Sequence, residues 1–229
     1  MAFSFYYPTP LPSTRGWGSG FPDCQRDKIV PHPVFVGGVH REVKELVDLI
    51  VEIMRRRGFR FINPGCWGFG CRGTKSSSGS QGGTPSFHSW GLALDINAPK
   101  NPFGADREDT QLGQSEYKWV VDLLRSLGWF WLGPAIDDWM HFSFVGSKRD
   151  AVLMTRKARE VLDKMKYESF EKGVRAWWAG QPEPEQHEER FGWNMARRGE
   201  LKPGTPFHDH EEVDHTHSTP AGRTGGADS

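Results

Sequence analysis

A chain of 229 residues can bury one good-sized hydrophobic core, or a smaller core with appended segments that do not join it. Lys and Arg total 29 and Asp and Glu total 29, so no global charge attracts the protein to nucleic acid or to anionic lipid. No stretch has the length and apolar character of a membrane span, and we therefore expect neither a nucleic-acid nor a membrane partner.

Residues 1–29 are predicted to form an irregular N-terminal arm. The arm contains seven residues that disfavour helix and strand, namely Pro8, Pro10, Pro12, Gly16, Gly18, Gly20 and Pro22. It has no basic region followed by an apolar run and a cleavage site, so we expect no signal peptide. The expectation is synthesis in the cytoplasm, with release or export supplied by another factor.

Three cysteines, Cys24, Cys66 and Cys71, are too few for a closed disulfide framework. The spacing of Cys66 and Cys71 does not match a CxxC pair. A bridge between these two residues is left open by the sequence.

Residues 30–147 are predicted to form the folded domain, which begins with an amphipathic helix. Apolar residues recur at helical spacing and stop at Gly58: Val39, Val43, Leu46, Val47, Ile50 and Met54. Residues 59–63 then read as a short strand, and the Gly- and Ser-rich residues 65–85 as a mobile surface loop. Residues 90–97 follow as a strand whose face with Asp95 is opposite the face with Leu94.

The second half of the domain is predicted to contain a helix over residues 117–127 and strands over 129–131 and 140–145. A long helix is expected over residues 148–178, and the composition of residues 179–229 is typical of a linker and a disordered tail. The predicted fold class is α+β, with a small antiparallel sheet flanked by helices.

Two histidines are predicted to lie off the apolar strand faces, each with a carboxylate nearby. These are His88, followed by Asp95, and His141, preceded by Asp138. Two imidazoles and one carboxylate leave a fourth position on zinc for water, which is typical of a catalytic zinc site. An extended chain would hold His88 and Asp95 roughly 20 Å apart, so the chain must turn between them, and Gly91 can supply that turn.

Residues 86–97, with the sequence SFHSWGLALDIN, resemble the SxHxxGxAxD signature of a known peptidase family. This is the zinc D-Ala-D-Ala carboxypeptidase and L-alanyl-D-glutamate endopeptidase family (peptidase family M15), which includes vancomycin-resistance dipeptidases and several phage endolysins. Residues 138–143 resemble its second signature, residues 71–74 its upstream arginine segment, and residues 128–133 the lead-in to the second signature.

The resemblance implies a Hedgehog- or DD-peptidase-like fold and a site with assigned roles. His88, Asp95 and His141 would bind Zn²⁺, Asp138 would act as catalytic base, and Arg72 would contact the substrate. The implied partner is bacterial cell-wall peptidoglycan, and the implied activity is that of a bacteriophage endolysin-type L-alanyl-D-glutamate endopeptidase. A D-alanyl-D-alanine carboxypeptidase, or a non-catalytic zinc-stabilised wall-binding module of the same fold, are the alternatives.

Two other patterns were weighed as sites. The tail histidines His208, His210, His215 and His217 lie among acidic residues and suggest metal binding, but a disordered polar tail fits the composition better. Residues 115–118 match the SxxK of serine penicillin-recognising enzymes. We discount this match because Ser115 begins an ordinary amphipathic helix and no SDN motif is present.

Overall fold

The computed structural model describes residues 10–75 and 81–203, which divide into two units at Met165/Lys166. The fold is α+β, as predicted. The elements in chain order are β1 (Ile29–Val30), β2 (Val39–His40), α1 (Lys44–Arg56), β3 (Gly73–Lys75), β4 (Gln81–Pro85), β5 (Ala93–Asp95), α2 (Lys118–Ser126), β6 (Trp129–Trp131), α3 (Gly133–Ile136), β7 (His141–Phe144), α4 (Lys148–Trp178) and α5 (His187–Arg197).

The central sheet of the first unit is antiparallel, in the order β5-β7-β6. In its register Asp95 is opposite His141, and Trp129 is opposite Phe144. A further segment extends the sheet beyond β5, because the backbone of Trp67 pairs antiparallel with Asp95. Because opposite residues in a ladder project to the same side, this register brings polar residues from separate parts of the chain to one face.

Helix α1 packs the apolar residues of the predicted repeat into the core. Its buried side chains are Leu46, Val47, Ile50, Val51, Ile53 and Met54. The helix begins later than the pattern predicts, because residues 41–43 form a 3₁₀ turn. His40 caps this turn, with Nδ1 accepting a hydrogen bond from the backbone N–H of Glu42.

The strand predicted over residues 59–63 is wrong. The side chain of Asn97 holds this segment instead: its Oδ1 accepts from the N–H of Ile62 at 2.8 Å, and its Nδ2 donates to the carbonyl of Arg60 at 2.9 Å. The backbone groups that a strand would use are therefore bonded to one buried side chain.

The loop predicted over residues 65–85 is wrong in part. Trp67 pairs with both Asp95 and Val36, and β3 pairs with β4 as an antiparallel hairpin. Residues 76–80, within the Gly- and Ser-rich stretch, lie outside the described residues. The Gly- and Ser-rich composition indicated a loop. The pairing of Trp67 was missed because its partners at positions 36 and 95 are distant in sequence.

The N-terminal arm is largely irregular but joins the core, against the expectation of an appended segment. The ring of Trp17 is buried, and its Nε1 donates to the carbonyl of Gly146 at 2.9 Å. Cys24 of the arm forms a disulfide with Cys71, whereas Cys66 is a buried free thiol. The alternative of a bridge between Cys66 and Cys71 is therefore wrong.

The second unit contains the end of α4 and all of α5. Helix α4 has the predicted bounds, but α5 lies in a stretch predicted as linker and disordered tail. Glycines allow the two helices to cross closely, since a Cβ at Gly173 would lie 1.7 Å from the carbonyl oxygen of Glu189. The ring of Trp193 is buried and lies edge-on to Trp177 at 4.9 Å, a contact between distant residues that composition does not reveal.

Across residues 10–75 and 81–203, none of the helices combines the length and the apolar character needed to cross a membrane.

Candidate metal centre

A short turn and a strand bring His88 and Asp95 together. His88 lies in the 3₁₀ turn Phe87–Trp90, which Ser86 caps by accepting a hydrogen bond from the N–H of His88. The turn ends at Gly91, whose φ of 67° lies in the left-handed region, and β5 then carries Asp95. The left-handed φ confirms the predicted role of Gly91 as the turning point. A side chain is excluded there as well, because a Cβ at Gly91 would lie 2.6 Å from the backbone nitrogen of His40.

The antiparallel pairing of β5 with β7 brings His141 to the same site. Asp95 and His141 are direct partners in the register, so their side chains project from one face of the sheet. Asp95 Oδ1 lies 2.9 Å from His141 Nδ1 and 3.2 Å from His88 Nε2, and the two imidazole nitrogens lie 3.1 Å apart. His141 is 46 residues from Asp95 and 53 residues from His88 in the sequence, yet the three side-chain atoms converge at one point.

The hydrogen-bond partners of His88 indicate that this cluster suits a cation. His88 Nδ1 faces the carbonyl of Gly68, which can only accept, so the proton of a neutral His88 is on Nδ1. His88 Nε2 then presents a lone pair toward Asp95 Oδ1, which is also an acceptor, at 3.2 Å. Two lone pairs that face each other at this distance repel unless a positive charge lies between them. A divalent ion satisfies both lone pairs, and one Asp and two His are ligands that zinc accepts. Within the described residues, this is the cluster of His, Cys, Asp and Glu side chains with metal-binding spacing.

His141 is held by a second hydrogen bond on its far side. Its Nε2 lies 2.8 Å from Ser143 Oγ, two residues along β7. With Nε2 donating to the hydroxyl, Nδ1 presents its lone pair to the ligand position. The carbonyl of Gly68 and the hydroxyl of Ser143 therefore orient the two imidazoles.

Electrostatic interactions in the cluster favour ionised groups. Burial opposes ionisation of Asp95, but the two histidines outweigh it and hold the pKa of Asp95 well below its usual range. Burial likewise acts to lower the pKa of His141, yet its hydrogen bond to Asp95 and the charges of Asp95 and Asp138 raise the pKa above 6.5. The metal-free site therefore attracts a proton strongly, as expected of ligands arranged for a positive charge.

Asp138 lies beside the three ligand atoms but does not join them. Its Oδ2 is 4.0 Å from His141 Nδ1, and its side chain is 19% exposed. The chain reaches this position through Asp137, whose φ of 56° is left-handed, and a turn in which the N–H of His141 donates to the carbonyl of Asp138. Burial raises the pKa of Asp138, although the charge of His141 opposes the shift. A carboxyl group with a raised pKa is suited to accept a proton near neutral pH.

Arg72 is anchored to the segment that carries His88. Its backbone carbonyl accepts hydrogen bonds from the N–H of Ser86 and from Ser89 Oγ. The positive charge of Arg72 is close enough to act on the pKa values of Asp138 and His141. The side chain is half-buried at the edge of the cluster, where a guanidinium can receive a carboxylate or an oxyanion.

Two contributors to the site were missed by the sequence reading. Ser143 could have been found, because it follows His141 by two residues and so projects from the same strand face. Gly68 could not, because its carbonyl reaches His88 only through the pairing of the segment around Trp67 with β5.

Of the two alternative sites weighed from the sequence, one lies within the described residues. The tail histidines His208, His210, His215 and His217 lie outside the described residues. In the SxxK match, the ammonium group of Lys118 is bonded to Asp122 on the exposed face of α2, so it is directed to a carboxylate rather than to Ser115.

Comparison with protein families supports a peptidase. A family model described as D-alanyl-D-alanine carboxypeptidase, of peptidase family M15, matches residues 79–144. The match covers less than one third of the chain and includes His88, Asp95, Asp138 and His141. The resemblance to M15 peptidases is thereby confirmed over this stretch, which points to a peptidase that acts on cell-wall peptides. Searches of curated proteins and of solved structures found no significant match.

Proposed function

Because residues 79–144 carry the M15 pattern, we propose that the protein is a zinc-dependent peptidase that hydrolyses stem peptides of bacterial peptidoglycan. The observation that carries this proposal is the convergence of His88 Nε2, Asp95 Oδ1 and His141 Nδ1 within 3.2 Å of one another, with Asp138 alongside. Three protein ligands leave a position for water, and a neighbouring carboxylate supplies the base that hydrolysis requires.

Each side chain has a distinct task in the proposed reaction. A zinc ion bound here would polarise the scissile carbonyl and lower the pKa of a coordinated water to around 7. Asp138 accepts the proton of the attacking water and returns it to the leaving amine. Arg72 binds a substrate carboxylate or the developing oxyanion through its planar guanidinium. The carbonyl of Gly68 keeps the proton of neutral His88 on Nδ1, and the hydroxyl of Ser143 orients His141 by accepting from Nε2 when Nδ1 binds the ion.

Two bonds in the stem peptide are candidates for cleavage. The motif resemblance leads us to propose endolysin-type cleavage between L-Ala and D-Glu. The description of the matching family favours a second candidate, removal of the terminal D-Ala. Both use the same site, because each substrate places a carboxylate near the scissile bond for Arg72 to bind.

Digestion of purified cell walls tests the proposal. Walls of defined stem-peptide composition are incubated with the protein, with the protein and a chelator, and with the chelated protein after zinc is restored. We expect release of fragments that the chelator abolishes and zinc restores. Mass analysis then distinguishes the bonds: new termini at L-Ala and D-Glu indicate the endopeptidase, and free D-Ala the carboxypeptidase. Walls left intact by the zinc-loaded protein would refute the proposed function.

A further inference from the structure

The ladder that carries Asp95 and His141 continues on the far side of Asp95. Trp67 pairs antiparallel with Asp95, and Val36 pairs parallel with Trp67. Residues that are partners across a ladder project to the same side, so Val36, Trp67, Asp95 and His141 form one row across one face. We call these four residues the ligand row.

Exposure changes sharply along the ligand row. His141 and Asp95 are 3% and 8% exposed, whereas Trp67 and Val36 are 46% and 40% exposed. A large aromatic ring exposed to solvent costs hydrophobic free energy unless another group covers it. Trp67 is such a ring, and it is the direct ladder partner of Asp95. The exposed end of the row is thus a surface that leads into the metal centre.

A groove continues this surface. It has a volume of about 450 Å³, and its lining includes Val36, Phe69 and Arg26. Phe69 follows Trp67 by two residues, and the guanidinium of Arg26 lies over the Phe69 ring, 5.5 Å from its centroid. The groove therefore combines an apolar floor with one fixed positive charge.

The spacing of the row fits an extended peptide. Neighbouring strands lie about 4.8 Å apart, so Val36 is roughly 10 Å from Asp95 across the row. An extended peptide advances about 3.3–3.6 Å per residue, and three residues therefore span this distance. In a tetrapeptide stem, L-Ala-D-Glu-diaminopimelate-D-Ala, three residues follow the bond between L-Ala and D-Glu, and the third ends in a carboxylate.

We propose that this surface is the binding cleft for the stem peptide on the carboxyl side of the scissile bond. Trp67 packs against the first residues after the bond, and Arg26 binds the carboxylate at the third. This inference rests on the proposed function and refines it, because it assigns the protein a substrate with a three-residue carboxyl-side extension. A carboxypeptidase that releases one residue would leave the groove at Arg26 empty.

Binding to the zinc-free protein tests the cleft separately from catalysis. The probes are fluorescent L-Ala-D-Glu, L-Ala-D-Glu-diaminopimelate and L-Ala-D-Glu-diaminopimelate-D-Ala, and fluorescence anisotropy reports Kd. We expect Trp67→Ala to weaken binding of all three peptides, by about tenfold for the longest. Arg26→Gln should weaken the longest peptide by about threefold to tenfold at low salt and leave the shortest unchanged.

Matched variants serve as controls for aromatic and charge removal. Phe191 is an exposed aromatic in the second unit, and Arg149 is an exposed arginine near the start of α4. Phe191→Ala and Arg149→Gln should bind all three probes as the wild type does. The proposal is overturned if the wild type fails to bind the longest peptide. It is also overturned if Trp67→Ala binds normally, or if Arg26→Gln weakens every length equally.

The same measurements separate this inference from the proposed function. Length-dependent binding by a protein that leaves cell walls intact would support the cleft and refute the peptidase. Wall cleavage with unchanged binding by Trp67→Ala and Arg26→Gln would support the peptidase and refute the cleft.

Discussion

His141 Nε2 lies 2.8 Å from Ser143 Oγ, on the side of the imidazole opposite the ligand position. This contact fixes the orientation of the ring. When Nδ1 binds a cation, Nε2 carries the proton and donates it to the hydroxyl. Both residues lie in β7 and are buried, so water does not reach His141 Nε2 to replace the hydroxyl. Loss of the hydroxyl would leave a buried polar atom without a partner, which is unfavourable in free energy.

Replacing this hydroxyl should weaken the metal centre. We expect Ser143→Ala to lower zinc affinity by roughly 10- to 100-fold, because the second hydrogen bond of a ligating histidine sets its tautomer and basicity. Competition with a chromophoric zinc chelator measures the change. Ser126→Ala is the control, since Ser126 Oγ donates to the carbonyl of Leu123 at the end of α2, away from the cluster of His88, Asp95 and His141. Equal zinc affinity in the two variants would show that Ser143 does not orient His141.

Replacing the proposed base should separate chemistry from metal binding. Asp138→Asn keeps the shape of the side chain but cannot accept a proton, so we expect hydrolysis to fall by about 10²- to 10⁴-fold with zinc content unchanged. Released wall fragments report hydrolysis, and metal analysis reports zinc.

Asp137→Asn is a closely matched control for that variant. Asp137 is exposed and has a left-handed backbone that Asn tolerates, so this variant should keep wild-type activity. If Asp138→Asn lysed walls at the wild-type rate with full zinc content, Asp138 would not be the base. If the wild-type protein carried a full complement of zinc but did not hydrolyse walls, the alternative of a non-catalytic zinc-stabilised module would be favoured.

Zinc affinity should fall as the pH falls. Zinc requires neutral imidazoles, and the hydrogen bond and charge of Asp95 raise the pKa of His141 above 6.5 despite its burial. Protons therefore compete with zinc from above pH 6.5 downward, and the loss should begin at a higher pH than for an ordinary histidine. Titration with zinc between pH 5 and 8 measures this dependence, and a constant affinity over that range would contradict the assigned ligands.

A buried histidine outside the site should make the fold sensitive to acid. Burial lowers the pKa of His40 from 6.5 to about 4, and its ring packs edge-on against Trp17. Between these pH values the unfolded chain binds a proton that the native His40 does not, so the free energy of unfolding decreases as the pH falls from 6.5 to 4. The decrease should be roughly 2–3 kcal/mol.

The variant His40→Asn tests this contribution, because Asn can still cap the turn at residues 41–43 but does not titrate. Urea unfolding in chelator at several pH values gives the free energies. The stability of His40→Asn should depend less on pH than that of the wild type, by the amount given above. Parallel pH profiles for the two proteins would exclude His40 as the source.

The sequence predicted those parts of the fold that local pattern determines. The apolar repeat predicted α1 and α2, and the bounds of α4 were predicted correctly. The glycine at 91 indicated the turn that folds His88 back toward Asp95. The wrong strand at residues 59–63 and the unrecognised pairing of Trp67 both depend on contacts with residues more than 25 positions away. No local pattern encodes such partners, and the same holds for Cys24, which bonds Cys71.

The candidate site followed the same division. His88, Asp95 and His141 were predicted as metal ligands from the motif and from the strand faces, and the structure brings their side-chain N and O atoms together. The positions of the Gly68 carbonyl and of the exposed Trp67 ring beside the site depend on the pairing of this segment with β5, which the sequence did not predict. The proposed metal ligands were thus predictable from the sequence, whereas the residues that orient them or line the proposed cleft depend on strand pairing.

Anomalous diffraction at the zinc edge, from crystals of the zinc-loaded protein, tests the central claim most directly. We predict one zinc peak about 2.0–2.2 Å from His88 Nε2, Asp95 Oδ1 and His141 Nδ1, with solvent at the fourth position and Asp138 unbound. A zinc ion bound elsewhere, or one whose fourth ligand is a protein side chain, would contradict the account of this site as a catalytic metal centre.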